Sequence, residues 1–400
     1  MLATGTGDGA SPTTMTASDL KFLRAALRLA RRGYGATSPN PMVGAVLVRG
    51  GKVIGRGWHH RAGLAHAEIE ALRDAQQRQQ ATRGATLYVT LEPCCTHGRT
   101  PPCTDAIIAA GIRRVVVGTT DSNPRHAGKG LRILRRAGIE VVTPAHHGQR
   151  ADASAINQKC RRLNEAFNHW IVQRTPFVTV KAAMTLDGKI ATAAGESKWI
   201  TGEKARAHGL HLRQGSDAIL VGVNTVLQDD PSLTARQATP HALRRIVLDS
   251  LARTPLTARV VTDAKAALTT VVVSRRAPRT RVAALAQHVR VLVAPPGKGA
   301  LTANGKPGLD LRWLLRRLGA ENVTSLLVEG GGEVNASFLL GGLAQRVAFF
   351  YAPKILGGRE ARRAVAGVGA ASLAEVRRLG EVEWRRLGPD LLLTALVENA

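Results

Sequence analysis

Three short segments of the sequence contain residues that could hold a metal ion and move protons beside it. They are His66-Ala67-Glu68, Glu92-Pro93-Cys94 and Pro101-Pro102-Cys103. One His and two Cys are enough to bind zinc and leave one coordination position open, which distinguishes a catalytic zinc from a structural one. Such a zinc lowers the pKa of a water molecule toward neutrality. Glu68, which is not needed as a ligand, is placed to transfer the protons.

The order of these segments is typical of one class of zinc enzyme. The zinc nucleobase deaminases carry H-x-E followed by P-C-x-x-C. Here Cys94 and Cys103 are nine positions apart, a longer gap that does not require Cys95 as a ligand. The sequence therefore predicts that one half of the chain removes an amino group from a nitrogen heterocycle. A structural zinc site is the alternative, but it leaves Glu68 without a role.

The elements that would position these residues follow an α/β pattern. Ser18 is expected to cap a helix from Asp19 to Arg32, and a hairpin is expected around Arg49–Lys52. Strand and helix patterns then alternate, which implies a three-layer α/β domain. Because proline precedes both cysteines, Cys94 and Cys103 are expected at helix starts, where the helix dipole favours a thiolate.

Length and composition indicate two domains and no membrane span. A chain of 400 residues is too long for one ordinary core, and no apolar run approaches the roughly 20 residues that cross a bilayer. We expect a flexible tail at residues 1–16, a first domain at 17–165 and a second at 166–400. Three of the four cysteines stand at 94, 95 and 103, so a reducing cytoplasm is expected rather than a disulfide framework.

The charge of the chain supports a second interpretation. The formal net charge is +27, a balance often found in nucleic-acid-binding proteins. The basic residues are nevertheless spread over both halves, with few aromatic residues to stack bases. We therefore expect small anionic ligands such as phosphates, and no nucleic-acid or membrane partner. A nucleic-acid (tRNA-type) zinc deaminase with a basic accessory domain is the alternative.

The second half also alternates strands and helices, without repeating the first half. An apolar strand at 325–329 runs into Gly330-Gly331-Gly332 and a helix, so bare N–H groups could meet a phosphate at the helix N-terminus. The spacing is not G-x-G-x-x-G, so a Rossmann domain is not expected. Lys181, inside a strand, either faces a ligand or lies on an edge strand of the sheet.

Other strands of the second half are expected at 177–181, 218–221, 245–248, 270–273, 289–293, 347–351 and 391–397. They follow a helical connector at 151–173.

Longer motifs around the candidate ligands resemble a known family. They are Pro39-Asn40-Pro41-Met42-Val43-Gly44, Gly57-Trp58-His59, Arg61-Ala62-Gly63, Thr90-Leu91-Glu92-Pro93-Cys94 and His97-Gly98-Arg99-Thr100-Pro101-Pro102-Cys103. Together they are similar to the cytidine-deaminase-like half of the bifunctional riboflavin-biosynthesis deaminase/reductases. The resemblance implies His66, Cys94 and Cys103 as zinc ligands, Glu68 as the proton shuttle, and Asn40 and His59 as pyrimidine contacts. Cys95-Thr96 stands where the family usually has Ser-His, which leaves the ligands intact and alters the local substrate contact at Thr96.

Motifs in the second half are similar to the reductase half of the same family, whose fold resembles dihydrofolate reductase. These motifs are Thr185–Lys189, Gly195–Thr201, Gly222–Val226, Asp229–Thr234 and Leu327–Asn335. The resemblance implies NADPH binding by Ala183, Trp199, Thr225, Asp229, Ser250, Gly331, Gly332, Glu333, Val334, Asn335, Ala336 and Ser337. It implies substrate contacts from Ser197, Arg213, Leu233, Arg236 and Glu329. The two arginines would hold a phosphate, since Arg offers a planar fork of donors.

The resemblance implies two consecutive reactions on a small molecule. The first domain, with one Zn²⁺ per chain, would hydrolytically deaminate 2,5-diamino-6-(5-phosphoribosylamino)pyrimidin-4-one. The second would reduce the ribosyl group to a ribityl chain with hydride from NADPH. Ser250 with Arg253 is a candidate pair for the extra phosphate of NADPH. Reductases of this type are commonly dimeric, so a cytoplasmic homodimer is expected.

Overall fold

The computed structural model describes residues 14–97, 101–144, 151–235, 242–301 and 307–398. They form two compact units, which divide between Val172 and Gln173. Gly98, Arg99, Thr100 and Arg236, which belong to the sequence motifs and site predictions, lie outside the described residues. Within the described part, no helix combines the length and the apolar character needed to cross a membrane.

The first unit contains a five-stranded sheet. Its strands are β1 (Gly44–Arg49), β2 (Lys52–Trp58), β3 (Thr86–Val89), β4 (Arg114–Val117) and β5 (Glu140–Val142). The strand order is β2-β1-β3-β4-β5, with β1 antiparallel to both neighbours and β3, β4 and β5 parallel. The helices of this part of the chain are α1 (Ala17–Ala30), α2 (Ala67–Gln77), α3 (Cys103–Ala109), α4 (Lys129–Arg136), α5 (Ala151–Leu163) and α6 (Glu165–Gln173).

Helices cover both faces of this sheet. Alternate residues of a strand point to opposite faces, and β4 follows this rule. Val115 and Val117 pack in a buried cluster with α2, α3 and α4, whereas Val116 packs in a second cluster with α1 and α5. The expected three-layer α/β architecture is therefore confirmed.

Helix α2 lies so close to β2 that only glycine fits between them. A Cβ atom at Gly57 would lie 2.2 Å from the carbonyl oxygen of Ala67, and one at Gly55 would lie 2.3 Å from that of Ala71. Both distances are far shorter than van der Waals contact. The first turn of α2, which carries Glu68, is therefore fixed against the sheet.

Two local predictions at the start of this unit are wrong. Thr16, not Ser18, caps α1, because its hydroxyl accepts from the N–H of Asp19 while the Asp19 carboxylate accepts from the N–H of Thr16. This reciprocal arrangement satisfies two N–H groups at once. The expected tail of residues 1–16 is also too long, because Met15 is buried in the cluster beside α1.

The second unit contains a nine-stranded sheet and two small two-stranded sheets. Its strands are β6 (Phe177–Thr185), β7 (Lys189–Ala191), β8 (Ala218–Gly222), β9 (Arg244–Leu248), β10 (Thr269–Ser274), β11 (Arg290–Ala294), β12 (Pro296–Leu301), β13 (Pro307–Leu309), β14 (Ser325–Val328), β15 (Arg346–Ala352), β16 (Arg362–Arg363), β17 (Leu379–Leu387) and β18 (Asp390–Val397). Its helices are α7 (Glu203–Gln214), α8 (Val223–Asp229), α9 (Arg259–Thr262), α10 (Arg279–Ala286), α11 (Leu311–Ala320) and α12 (Gly332–Leu339).

The large sheet has the order β11-β10-β9-β8-β14-β6-β15-β18-β17. The strands from β11 to β15 in this order are parallel, and β18 is antiparallel to both of its neighbours. The sequence patterns predicted every strand of this sheet except β17. That strand is exposed along most of its length, and it therefore lacks the apolar pattern of a buried strand.

The carboxyl ends of β8, β9 and β14 lie side by side. Gly222 and Leu248 are the last residues of β8 and β9, and Glu329 directly follows β14. Ligands of open parallel sheets bind in the crevice beyond such strand ends. The topology therefore favours a ligand site at this edge.

Candidate active sites

The first candidate site lies where α2 and α3 begin. His66 directly precedes α2, Cys94 lies in the loop after β3, and Cys103 is the first residue of α3. The helix start predicted at Cys94 is wrong, because the chain there is an irregular loop between β3 and α3. The residues predicted as ligands nevertheless come together, with one ligand atom of each within 4.8 Å of the others. His66 Nδ1 lies 3.4 Å from Cys94 Sγ and 3.3 Å from Cys103 Sγ.

This donor set fits zinc on chemical grounds. Two sulfur atoms and one imidazole nitrogen are typical zinc ligands, and three protein ligands leave one open position. Hydrogen bonds with Cys103 and His66 lower the pKa of Cys94 to about 4, so its thiol is ionised at neutral pH. The hydrogen bond with Cys94, together with burial, raises the pKa of Cys103. A divalent cation would displace the thiol protons, because cysteine binds a metal as the thiolate.

Glu68 is almost fully buried next to these residues, at 3% exposure. Burial raises the pKa of Glu68 to about 7, and the negative charge of Cys94 adds to this effect. A carboxyl group with a pKa near the working pH can both accept and release a proton. The close packing of α2 on β2 therefore places a proton carrier beside the candidate metal ligands.

Asn40 and His59, predicted to contact the pyrimidine, also come together. His59 Nδ1 lies 3.0 Å from the carbonyl oxygen of Ala65, which can only accept, so Nδ1 carries the proton. The unprotonated Nε2 then accepts from Asn40 Nδ2 at 3.1 Å. Burial lowers the pKa of His59, which favours this neutral form. The ring of His59 stands edge-on to the ring of His66, with centroids 5.3 Å apart.

Glu92 is a positioning residue that the sequence analysis did not identify. Its buried carboxylate accepts hydrogen bonds from the backbone N–H groups of Asp121, Gly128 and Gly130, at 2.9 to 3.2 Å. These bonds tie the loop that carries Cys94 to the start of α4. The Glu92-Pro93-Cys94 motif contained the signal, since a glutamate at the end of a buried strand needs several partners.

Thr96, the departure from the family pattern, has its own partners. Its hydroxyl lies 3.0 Å from His126 Nε2, and His126 Nδ1 lies 3.5 Å from a carboxylate oxygen of Asp121. Both partners lie in the loop after β4, which is parallel to β3. The side chains that follow these two strands therefore meet at one edge of the sheet.

The second unit contains a cleft at the carboxyl ends of β8, β9 and β14. Its volume is about 940 Å³. It is lined by these residues predicted to bind the cofactor: Thr225, Asp229, Ser250, Gly331, Gly332, Glu333, Val334 and Ser337. Two predicted substrate contacts, Ser197 and Glu329, line it as well.

A smaller cavity, of about 220 Å³, opens along α7. Lys181, Ala183, Trp199, Arg213 and Glu329 are among its lining residues. Glu329 lines both this cavity and the cleft. Lys181 lies on a central strand of the sheet rather than at an edge, and it faces the cavity as one of the two sequence interpretations expected.

Three of the predicted contacts do not present side chains to either space. Asn335 and Ala336 are buried on the inner side of α12, where Asn335 Nδ2 donates to the carbonyl oxygen of Ala364. Leu233 is 3% exposed and packs in the hydrophobic core beside β8 and β9. The predicted range 331–337 includes the inward face of α12, and Asn335 and Ala336 belong to that face.

The glycine triplet allows close packing at the start of α12. A Cβ atom at Gly330 would lie 2.5 Å from Val334, and one at Gly332 would lie 2.4 Å from the carbonyl oxygen of Arg363. Gly331, in contrast, has open space where a Cβ atom would be. Bare backbone N–H groups at a helix start can bind a phosphate, as the sequence pattern indicated.

A partly buried charge cluster joins the two spaces. The guanidinium of Arg213 donates two hydrogen bonds to Glu329, at 2.8 and 2.9 Å, and one to the carbonyl oxygen of Thr234. Lys181 Nζ lies 3.6 Å from the same carboxylate. Although burial raises the pKa of Glu329, the charges of Lys181 and Arg213 hold it at about 2. Arg213, predicted as a phosphate ligand, therefore already directs its fork toward Glu329.

The chain matches two protein-family models. Residues 16–119 match the cytidine and deoxycytidylate deaminase zinc-binding region, and residues 176–393 match the RibD C-terminal domain. The first match includes His66, Glu68, Cys94 and Cys103.

Relatives match over nearly the whole chain. The riboflavin biosynthesis protein RibD of Actinobacillus pleuropneumoniae is 40% identical over 385 residues, 96% of this chain and 96% of the relative. That of Escherichia coli is 39% identical over 390 residues, 94% and 98% of the two chains. Among solved structures, Acinetobacter baumannii RibD is 34% identical with a TM-score of 0.79, covering 96% of this chain and 99% of that one. A Thermotoga maritima diaminohydroxyphosphoribosylaminopyrimidine deaminase/5-amino-6-(5-phosphoribosylamino)uracil reductase is also 34% identical, with a TM-score of 0.76 and coverage of 95% and 99%.

The fold, the donor set and these matches define a bifunctional enzyme with an N-terminal zinc-binding deaminase domain and a C-terminal reductase domain. The chain belongs to the family of the riboflavin biosynthesis protein RibD. The predicted fold class and enzyme class are thereby confirmed. The alternative of a nucleic-acid deaminase with a basic accessory domain is not supported, because residues 176–393 match the RibD C-terminal domain.

Proposed function

We propose that the chain carries out two consecutive steps of riboflavin biosynthesis on a phosphorylated pyrimidine. In the first, water replaces an amino group of 2,5-diamino-6-(5-phosphoribosylamino)pyrimidin-4-one, and ammonia leaves. In the second, a hydride and a proton add to the ribosyl group of the product, which becomes a ribityl chain. The observation that carries the proposal is the convergence of His66, Cys94 and Cys103 beside the buried carboxyl group of Glu68.

In the deamination, His66, Cys94 and Cys103 would hold zinc, which when bound makes water acidic enough to react near pH 7. Glu68 takes a proton from the attacking water and delivers protons to the ring nitrogen and the departing amino group. These transfers need a carboxyl group that exchanges protons near neutrality, and the pKa of about 7 for Glu68 supports that role.

Asn40 and His59 would orient the pyrimidine. The neutral His59 ring accepts from Asn40 Nδ2, and this contact leaves Asn40 Oδ1 as an acceptor. An acceptor suits the amino groups of a diaminopyrimidinone, which are hydrogen-bond donors. The tie between His59 and Ala65 would keep both side chains in place.

In the reduction, NADPH would occupy the cleft and supplies the hydride when bound. The open position at Gly331 suits a phosphate of the cofactor. Ser250 and Arg253 both line the cleft, and Arg253 donates to Asn224 Oδ1 at 2.8 Å. A guanidinium held in this way would recognise the additional phosphate of NADPH.

The ribosyl group and the nicotinamide ring of NADPH would meet at the smaller cavity, because Ala183 and Trp199, both predicted cofactor contacts, line it. Lys181 and Arg213 bring two positive charges to one carboxylate, that of Glu329, so the cluster retains net positive charge for a phosphorylated substrate. Three of the five N–H bonds of Arg213 are engaged. The other two remain for the substrate.

The assembly would be a cytoplasmic homodimer that acts on a small molecule. The edge strand β17 exposes Val382 and Trp384, at 48% and 60%, and the unpaired N–H and C=O groups of an edge strand can pair with a second copy. A reducing compartment suits the free thiols of the candidate metal ligands.

The order of the two reactions provides the test. The zinc-loaded chain is mixed with the phosphoribosyl diaminopyrimidinone, and ammonia release is followed with and without NADPH. We expect ammonia in both cases, followed by substrate-dependent oxidation of NADPH where it is present. Ammonia without NADPH oxidation would refute the reductase assignment, and absence of ammonia from a zinc-containing chain would refute the deaminase assignment.

A further inference from the structure

Trp199 is 63% exposed, about as much as Trp384 (60%) on the edge strand β17. Trp199 lines the smaller cavity together with Lys181, Arg213 and Glu329. An exposed indole offers a flat surface to a planar ligand, but only if its orientation is maintained. The question is therefore which residues keep the indole in place.

Arg206 covers one side of this indole. Its guanidinium carbon lies 4.6 Å from the centre of the Trp199 ring, within the range of cation–π contact. Arg206 Nη1 also donates to the carbonyl oxygen of Thr201, at 2.7 Å. A second tether comes from Lys354, whose Nζ donates to the carbonyl oxygen of Trp199 at 3.0 Å. The segment from Trp199 to Thr201 is thus held by its side chain and by its backbone.

The placement of Arg206 is unfavourable for helix stability. It is the fourth residue of α7, and a positive charge near a helix N-terminus opposes the helix dipole. Of the cations that line the cavity, Lys181 and Arg213 pair with Glu329, whereas Arg206 forms no ion pair with any carboxylate of the described residues. A residue whose placement opposes the local preference of its helix is expected at a functional site.

We propose that Arg206 is a positioning residue of the reductase site, which holds the indole of Trp199 as a fixed wall of the smaller cavity. One face of the ring is covered by the guanidinium, and the ligand meets the surface that remains. Because this inference rests on the proposed reductase function, it concerns how the second unit binds its cofactor and substrate. It assigns no chemical step to Arg206.

The test measures binding rather than turnover. The affinity of the zinc-loaded full chain for NADP⁺ is measured by calorimetry for wild type, Arg206→Ala, Arg206→Lys and Trp199→Ala. We expect Arg206→Ala to weaken binding about 3- to 10-fold, the effect of losing one cation–π contact and its ordering of the ring. Arg206→Lys should be intermediate, because it keeps the charge and loses the planar fork. Lys204→Ala, which removes another cation from the same turn of α7, is the matched control and should bind as wild type does.

A double-variant cycle separates positioning from a general charge effect. If Arg206 acts through Trp199, its removal in the Trp199→Ala background should cause little further loss. The deamination rate of every variant reports whether the first unit is folded, and a thermal unfolding profile like that of the wild type reports the same for the second unit. Emission of Trp199, obtained by subtracting the spectrum of Trp199→Phe, should shift when Arg206 is replaced, even without ligand.

Three results would overturn the inference. If Arg206→Ala binds NADP⁺ as tightly as wild type, Arg206 is not a positioning residue of the site. If the removal of Arg206 lowers the NADP⁺ affinity equally with Trp199 and with Trp199→Ala, Arg206 acts independently of the indole. If Arg206→Ala does not deaminate because it fails to fold, the NADP⁺ affinity and the Trp199 emission of Arg206→Lys test the inference instead. Trp199 emission that is the same in Arg206→Lys and wild type would exclude the contact. A wild-type chain that deaminates but neither binds NADP⁺ nor oxidises NADPH would instead remove the proposed reductase function, and this inference with it.

Discussion

The carboxylate of Glu329 accepts two hydrogen bonds from the guanidinium of Arg213, at 2.8 and 2.9 Å. Arg213 belongs to α7, whereas Glu329 directly follows β14. The pair therefore joins a helix to the end of a central strand. Since Glu329 lines both the cleft and the smaller cavity, the pair orders the place where the proposed cofactor and substrate would meet.

Replacing Arg213 with Lys should weaken the reduction and leave deamination unchanged. Lysine keeps the charge but cannot form two parallel hydrogen bonds with a carboxylate. We expect the KM of the isolated deaminated intermediate to rise about 10-fold, the cost of one hydrogen bond to a charged group. Steady-state oxidation of NADPH measures this value. Arg279→Lys, an exposed position on α10, is the control, and equal KM values for the two variants would contradict the role of Arg213.

The same carboxylate predicts how stability depends on acid. Lys181 and Arg213 hold the pKa of Glu329 at about 2 against the effect of burial, below the roughly 4.3 of an unfolded glutamate. The folded state therefore binds this proton more weakly than the unfolded state. The stabilisation is complete above about pH 4.3 and is lost as the pH falls toward 2.

Comparison of wild type with Glu329→Gln tests this prediction. The glutamine cannot ionise, so the advantage of the wild type in Tm should shrink as the pH falls from about 5 to about 3. A Tm difference that stays constant over this interval would contradict the low pKa.

Replacing Glu92 with Gln should destabilise the first unit. The carboxylate accepts from the N–H groups of Asp121, Gly128 and Gly130, and a glutamine would turn an NH₂ group toward some of these donors. We expect the free energy of unfolding to fall by about 1–3 kcal/mol. Urea unfolding measures it. Glu140→Gln, at the exposed first residue of β5, removes only a surface ion pair with Arg114. It should change the free energy by less than about 1 kcal/mol, and equal losses would refute the special role of Glu92.

Substitution of single cysteines should separate metal ligands from their neighbours. Cys103→Ser should lose zinc, because its sulfur lies within the cluster formed with His66 and Cys94. Cys95→Ser should keep about one zinc per chain, since Cys95 is not part of that cluster. Metal content is measured after gel filtration in metal-free buffer. Loss of zinc from both variants, or from neither, would contradict the proposed ligand set.

Residues whose chemistry depends on their own type could be predicted from the sequence. His66, Cys94 and Cys103 are chemically distinctive, and their order along the chain indicated the cluster that the structure contains. The partners of Glu92 and of His126 could not be predicted in the same way. Glu92 acts through backbone N–H groups, and His126 meets Thr96 across 30 positions of sequence.

The fold could be predicted where burial leaves a pattern. The buried strands of both sheets have apolar runs, whereas the exposed strand β17 has none and was missed. The same limit applies to single sites. A motif that spans 331–337 does not reveal that Asn335 and Ala336 face the core, because that depends on which side of α12 packs inward. Thr16 was missed as a cap because Ser18 is an equally suitable residue type.

The central claim is that Glu68 transfers protons in deamination and does not hold the metal. The most direct test measures ammonia release and zinc content for Glu68→Gln beside the wild type. We predict that ammonia release falls by about 10²- to 10⁴-fold, while zinc content and the reduction of supplied intermediate stay unchanged. A Glu68→Gln chain that retains zinc and releases ammonia at the wild-type rate would contradict the account.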